Sequence, residues 1–185
     1  PCWLIIDFYR VGSQLTPASD DRTVRTTYFA LFETHLRSGL AAWGNSSGSN
    51  LQRVLIHQKK AIRVMARLGF RDSCRNAFKE LRILTVVGLY ILETTIYART
   101  SNLERRGNIH HYGTRNAGTY DLPAHRLNIF KKKPSYIGAK FWNMLPAHVT
   151  QLDIKSFRRG LMNWLMDRPF YSVQEFLRWK EDYNP

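Results

Sequence analysis

Apolar positions recur with a period near 3.6 residues over most of the chain. The first run is "DDRTVRTTYFALFETHLRSGLAAWG", where Val24, Tyr28, Phe32, Leu36 and Trp43 fall along one stripe. It reads as one helix, with Asp20 or Asp21 capping its start and Gly44 ending it. A polar turn, "NSSGSN", follows. The next run, "LQRVLIHQKKAIRVMARLGF", separates into two faces at about 100° per residue. Leu51, Val54, Leu55, Ile62, Met65 and Ala66 lie within about 120° of each other, and Arg53, Lys59, Lys60, Arg63 and Arg67 fill a separate arc. One face packs and the other carries charge.

Further helices are predicted in "RNAFKELRIL", "VGLYILETTIYARTSNL", "SYIGAKFWNML", "IKSFRRGLMNWLM" and "SVQEFLRWKEDY". In the fourth of these, Phe157, Leu161, Trp164 and Leu165 share one side. Residues 105–135 interrupt the pattern with Gly107, Gly113, Gly118, Pro123 and Pro134, which predicts an ordered loop or short extended pieces. The expected fold class is therefore mainly α: a helical bundle, a basic loop region containing Gly and Pro, and further helices. There is no internal repeat and no low-complexity tract.

A length of 185 residues suits one domain with a real core, or two small ones. A hydrophobic content of 44%, with 13% aromatic, excludes a disordered class. Charge narrows the choice further. Twenty-eight Lys plus Arg against fourteen Asp plus Glu leave a net charge of +14, a self-repulsion that a polyanionic partner relieves. Nucleic acid, RNA or DNA, is the leading partner class. A membrane comes second, but no apolar run approaches the roughly 18 to 20 residues of a transmembrane helix, so none is expected. The apolar opening "PCWLIIDFYRV" carries Asp7 and lacks a basic start, so it is expected to be the tail of a longer chain rather than a signal peptide. Two cysteines, Cys2 and Cys74, build no disulfide framework and suit a reducing compartment, the nucleus and cytoplasm.

Motifs that could carry chemistry are few. "ASDD" at 18–21 offers adjacent carboxylates, but two-metal catalysis needs them at a tight hairpin with a further carboxylate nearby, whereas here they run into a helix. Capping is the better account. His110, His111 and His125, with Cys74 well before them, lack the paired close spacings of a zinc site. Cys74 is expected at a core edge or turn, not as a nucleophile. Basic clusters are the stronger signal: "RRG" at 105–107, "KKK" at 131–133 and "RR" at 158–159 extend the excess beyond the basic helix. The loop adds Arg115 and Arg126 to Lys131, Lys132 and Lys133, and mixes them with Tyr112, Tyr120, Phe130 and Tyr136. Cations neutralise phosphates and aromatic faces stack on unpaired bases, so the mixture fits single-stranded or junction nucleic acid. Tyr112 and Tyr120, beside glycines, are expected to be exposed and available for stacking. Of Phe141 and Trp142, adjacent on a helix, at least one is expected in the core.

The ordered set "TTYFALFETHLRSGLAAWGNSS", "HQKKAIRVM", "CRNAFKELRILTVVGLYILETTIY", "HHYGTRN", "LPAHRLNIFKKKPSYIGAKFWNMLP" and "SFRRGLMNWLMDRPFYSVQEF" resembles the C-terminal part of the reverse transcriptases of jockey-like non-LTR retrotransposons. The resemblance covers residues 21–185. It implies thumb-like helices over 21–70, a basic C-terminal extension over 71–185 that engages template RNA or target DNA, and a tail of an upstream segment over 1–20. It also implies that the polymerase's catalytic Asp-Asp box, and the Mg²⁺ it holds, belong to a palm upstream of these residues. The chain would then carry no catalytic residues and no cofactor, and its partners would be RNA or DNA and the remainder of the reverse transcriptase. The competing expectation is a degenerate retroelement remnant serving as a helical protein-interaction scaffold.

Overall fold

The computed structural model describes residues 21–45, 48–101, 103–109 and 117–182, and among these the chain is mainly helical, with no strand. The order is α1 (Asp21–Thr27), a π-helical stretch (Tyr28–Glu33), α2 (Thr34–Arg37), α3 (Leu40–Trp43), α4 (Gly48–Met65), α5 (Arg75–Glu80), α6 (Val86–Thr100), α7 (Arg106–Ile109), a 3-10 turn (Phe130–Lys132), α8 (Pro134–Met144), α9 (Ala147–Thr150), α10 (Ile154–Met166), α11 (Val173–Leu177) and α12 (Trp179–Asp182).

Helix α6 is the axis of the fold because its sequence is apolar nearly all round. Val86 to Leu92 are all buried, and Thr94, Thr95 and Ala98 extend the burial. Such a helix has no solvent face of its own and must be wrapped by others. Thr85 fixes its start: its hydroxyl accepts from Gly88 N at 3.0 Å and donates to the Phe170 carbonyl at 2.7 Å. Helix α8 lies closest against it. Gly138 permits that approach, since a Cβ there would overlap the Thr94 carbonyl and sit 2.9 Å from the Ala98 Cβ. Helix α10 buries Phe157, Leu161, Trp164 and Leu165, the four residues its periodicity puts on one side. The Phe176 ring of α11 meets Phe141 at 5.3 Å and Phe170 at 5.4 Å. The core is continuous from Tyr28 to Phe176, so residues on both sides of position 70 share it.

Boundaries differ from the sequence-based expectation at several points, and α4 itself begins at Gly48, inside the expected polar turn, and ends at Met65, short of Arg67. The first run is not one helix: Ser38 is extended and Gly39 left-handed (φ 67°), which turns the chain between α2 and α3. The "RNAFKELRIL" helix stops at Glu80. Arg82 takes a left-handed conformation (φ 52°), with Ile83 N bonded to Phe78 O and Arg82 N to Lys79 O, a Schellman ending. "SVQEFLRWKEDY" divides at Arg178 into α11 and α12. The capping role expected of Asp20 or Asp21 lies outside the described residues and side chains. The expected loop over 105–135 is present in its described parts as α7, an isolated bridge between Arg105 and Tyr120, and the 3-10 turn.

Candidate nucleic-acid interface

Helix α4 is oriented by its apolar face. Leu51, Leu55 and Ile62 are buried, and Val54, Met65 and Ala66 are half-buried against the core. Gln58 lies on the same face at 0% exposure and pins it: Nε2 donates to the Tyr28 hydroxyl and to the Leu84 carbonyl, both at 2.8 Å, while Oε1 accepts from Val86 N at 2.7 Å. One side chain thereby joins the π-helical stretch, α4 and the start of α6. With the roll of α4 set in this way, the basic arc faces away from the core.

The five cations of that arc are not equivalent. Arg53, Lys60 and Arg67 are exposed. Arg53 and Lys60, seven residues apart on α4, lie within about 20° of each other and about 10 Å apart along the axis, whereas Arg67 follows the helix end in a left-handed conformation. Helix α4 contains no Asp or Glu. Lys59 and Arg63, on the far side of the arc, turn inward instead. Lys59 Nζ lies 3.7 Å from the centroid of the Tyr171 ring, Arg75 stacks on that ring at 4.3 Å, and Arg63 donates to the Asp72 carbonyl at 3.1 Å. Arg75 is also paired with Glu175. Desolvation lowers the Lys59 pKa, and burial pushes the Tyr171 hydroxyl up to about 12. Cys74 is buried beside this cluster, its Sγ 3.6 Å from the Lys59 carbonyl, and burial raises its pKa. It is a packed core-edge residue, as expected.

The end of α4 has a defined geometry. Leu68 N bonds to Arg63 O at 2.9 Å and Arg67 N to Val64 O at 3.3 Å, with Arg67 at φ 53°, again a Schellman ending. A tight turn follows. Asp72 N donates to Gly69 O at 3.1 Å, and the Asp72 carboxylate accepts from Gly69 N at 2.7 Å. Phe70 and Arg71 occupy the tip.

Downstream, Arg126, Lys131, Lys132 and Lys133 are all exposed. Their loop is held by an aromatic trio: His125 stacks on Phe130 at 5.3 Å and meets Tyr136 edge-on at 4.9 Å. Asn45 Nδ2 donates to the Lys131 carbonyl at 3.3 Å, so the triple lysine lies beside the residues that lead into α4. Tyr120 overturns its expectation. It is 3% exposed, its ring 5.5 Å from Trp142, and its backbone N and O are both bonded to the Asn143 side chain at 2.9 Å. A glycine two residues away does not expose a ring that α8 can cover, so Tyr120 is core and offers no face to a base. Phe141 and Trp142 are both buried, because α6 lies against one side of α8 and the C-terminal helices against another. Tyr112, Arg115, His110 and His111 lie outside the described residues.

Several interactions here were invisible in the sequence. Glu33, 5% exposed, pairs with Arg37 at 2.8 Å; Arg37 also reaches Glu93, which pairs with Arg158 at 3.1 Å. A cavity of about 430 Å³ opens beside this chain of charges, lined by Arg25, Arg37 and Arg82 among others. Each of these guanidinium groups is engaged: Arg25 with the Leu81 carbonyl, Arg37 with both glutamates, Arg82 with Asp167 and Asn163. Among the described residues no group of His, Cys, Asp and Glu could hold a metal ion, and no helix is long and apolar enough to cross a membrane. Comparison of the chain with protein-family models, with curated proteins and with solved structures gave no match.

Proposed function

We propose that the chain is a nucleic-acid-binding C-terminal part of a jockey-like non-LTR retrotransposon reverse transcriptase, thumb and post-palm, acting without the catalytic palm. It grips template-primer or target DNA by the phosphate backbone. The observation that carries this reading is the exposed pair Arg53 and Lys60 on a helix with no carboxylate of its own, with exposed Arg67 just past its end. A rigid helix that presents cations in register suits contact with phosphates and requires no base readout. The Lys131–Lys133 loop beside the entry to α4 extends the positive surface, and the six ordered sequence segments support the parentage. Mg²⁺ would belong to the palm, not to these residues.

Anisotropy titrations with RNA, DNA and hybrid duplexes across a salt series test it. The triple substitution Arg53→Gln, Lys60→Gln, Arg67→Gln should reduce the slope of log affinity against log salt by roughly 2 to 2.7, with little dependence on base sequence and the fold intact by circular dichroism. Unchanged affinity and slope in the triple variant would make the stripe ordinary solvated surface.

A further inference from the structure

We infer that the cavity between the π-helical stretch and α10 is a binding site for a single nucleotide, with the base against its apolar wall and the phosphate on Arg25 and Arg82. This is the cavity of about 430 Å³ beside the Glu33–Arg37 pair, a volume within the range of small-ligand sites. Arg25, Phe29, Glu33 and Arg37 line one side of it, each four residues from the next. Phe29 and Glu33 belong to the π-helical stretch, a form of backbone that is rare and is found frequently at functional sites. Met162, Asn163 and Met166 line the opposite side from α10, and Arg82 and Leu84 come from the chain between α5 and α6. Arg82 and Asn163 are exposed and Glu33 is buried, so the cavity has an open polar rim over a closed floor.

The lining selects the occupant. It carries three guanidinium groups and one carboxylate, and that carboxylate, Glu33, is already paired with Arg37 at 2.8 Å. Arg82 bonds Asn163 at 2.8 Å and Asp167 at 3.3 Å, while Arg25 donates through Nη1 to the neutral Leu81 carbonyl. A guanidinium has five N–H donors, so these bonds leave both Arg25 and Arg82 with donors for phosphate oxygens. The rest of the wall is apolar. The Phe29 ring, with the Arg25 guanidinium 5.3 Å from its centroid, is joined by Leu84, Met162 and Met166, and a ring with thioethers suits a flat aromatic body. Asn163, whose Oδ1 accepts from Arg82, has its amide N–H groups to offer to the edge of a base. Inorganic phosphate would leave the apolar wall uncovered, and a long acyl chain would bury guanidinium and amide groups against methylenes. A nucleotide uses both kinds of wall, either as a free molecule or as the 5′-phosphorylated end of a strand. The site draws on no residue of the α4 surface.

Isothermal titration calorimetry with AMP, adenosine and inorganic phosphate tests it on the wild-type chain, Arg25→Gln and Met166→Trp. Wild type should bind AMP more tightly than either adenosine or phosphate. Arg25→Gln should lose roughly 10- to 150-fold on AMP and little on adenosine, because it removes a charged donor to the phosphate alone. Met166→Trp fills the cavity and breaks no ion pair, so it should lose AMP and adenosine together while its duplex binding keeps the wild-type salt slope. The two substitutions lie on different walls, so if one variant fails to fold the other decides. A pair of single strands with and without a 5′-phosphate separates the two sources of the ligand. A preference for the 5′-phosphate that Met166→Trp abolishes assigns the site to a strand end, and equal binding of the two strands assigns it to the free nucleotide. AMP bound no more tightly than adenosine and phosphate, or bound equally by Met166→Trp and wild type, would overturn the inference. Either result would leave the α4 grip standing, since that is read from the salt slope of duplex binding.

Discussion

Replacing Gln58 by Leu keeps the side-chain size close to its original value and removes an amide that joins three segments of the core. Val86 N and the Leu84 carbonyl both belong to buried residues, and both bond to Gln58. Neither can turn to water without moving the start of α6, the helix around which the rest is packed. Two orphaned backbone groups at about 1 to 3 kcal/mol each put the cost at about 2 to 6 kcal/mol, a large share of the roughly 5 to 15 kcal/mol that holds a domain of this size together. Tyr28→Phe removes one of the amide's partners but orphans no backbone group, so it should cost about 0.5 to 1.5 kcal/mol. The double variant should cost less than the sum, because the Tyr28 bond is already gone once Gln58 is Leu. Urea unfolding followed by tryptophan fluorescence reads all four corners of this cycle, with the midpoint shifting at a constant slope. A Gln58→Leu variant within about 0.5 kcal/mol of wild type would refute the reasoning, since it would mean that the two backbone groups find water or other partners in the folded state.

Gly138→Ala should destabilise the chain by about 1 to 3 kcal/mol despite the better helix propensity of Ala, because the added methyl forces α8 off the Thr94 carbonyl; a raised melting temperature would contradict so close an approach. Glu33 supplies a pH signature. Burial, opposed by Arg37, holds its carboxyl above the ordinary 4.5, so the folded state binds the proton more tightly than the unfolded one. Its contribution to stability is therefore complete below pH 4.5 and is lost as pH rises through the higher folded value. Glu33→Gln, which cannot ionise, should gain stability relative to wild type over that rise in thermal melts at a series of pH values, and a relative loss would show that pairing with Arg37 outweighs desolvation.

What could be read from the sequence follows from how local each cause is. The roll of α4 and the buried side of α10 are properties of single amphipathic segments, and the wheel placed both correctly. The break at Gly39 was hidden because a lone glycine inside a periodic run is compatible with a continuous helix, and only Ser38 turning extended makes it a corner. The division of the basic arc was hidden for a different reason. Lys59 turns inward because Tyr171 is there to receive it, and Tyr171 lies more than a hundred residues away in the chain. Tyr120 failed in the same way: its fate depends on Asn143 and Trp142, which no local pattern links to it.

The same distinction explains where the surplus charge comes to rest. With 28 cationic and 14 acidic side chains, at most half of the Lys and Arg could be paired one-to-one with a carboxylate even if every acid were used. Several of the acids are committed between elements distant in sequence: Glu93 to Arg37 and Arg158, Glu175 to Arg75, Asp167 to Arg82. These pairs join α2, α5, α6, α10 and α11 or the residues just after them, so the carboxylates lie in the fold's own seams. Helix α4 contributes none, and its two inward cations are satisfied by an aromatic face and a carbonyl instead. The excess is therefore left at exposed positions on several elements. Arg53 and Lys60 belong to it on the side of α4 that the apolar face and Gln58 turn outward, and Lys131 to Lys133 lie beside the residues that lead into that helix.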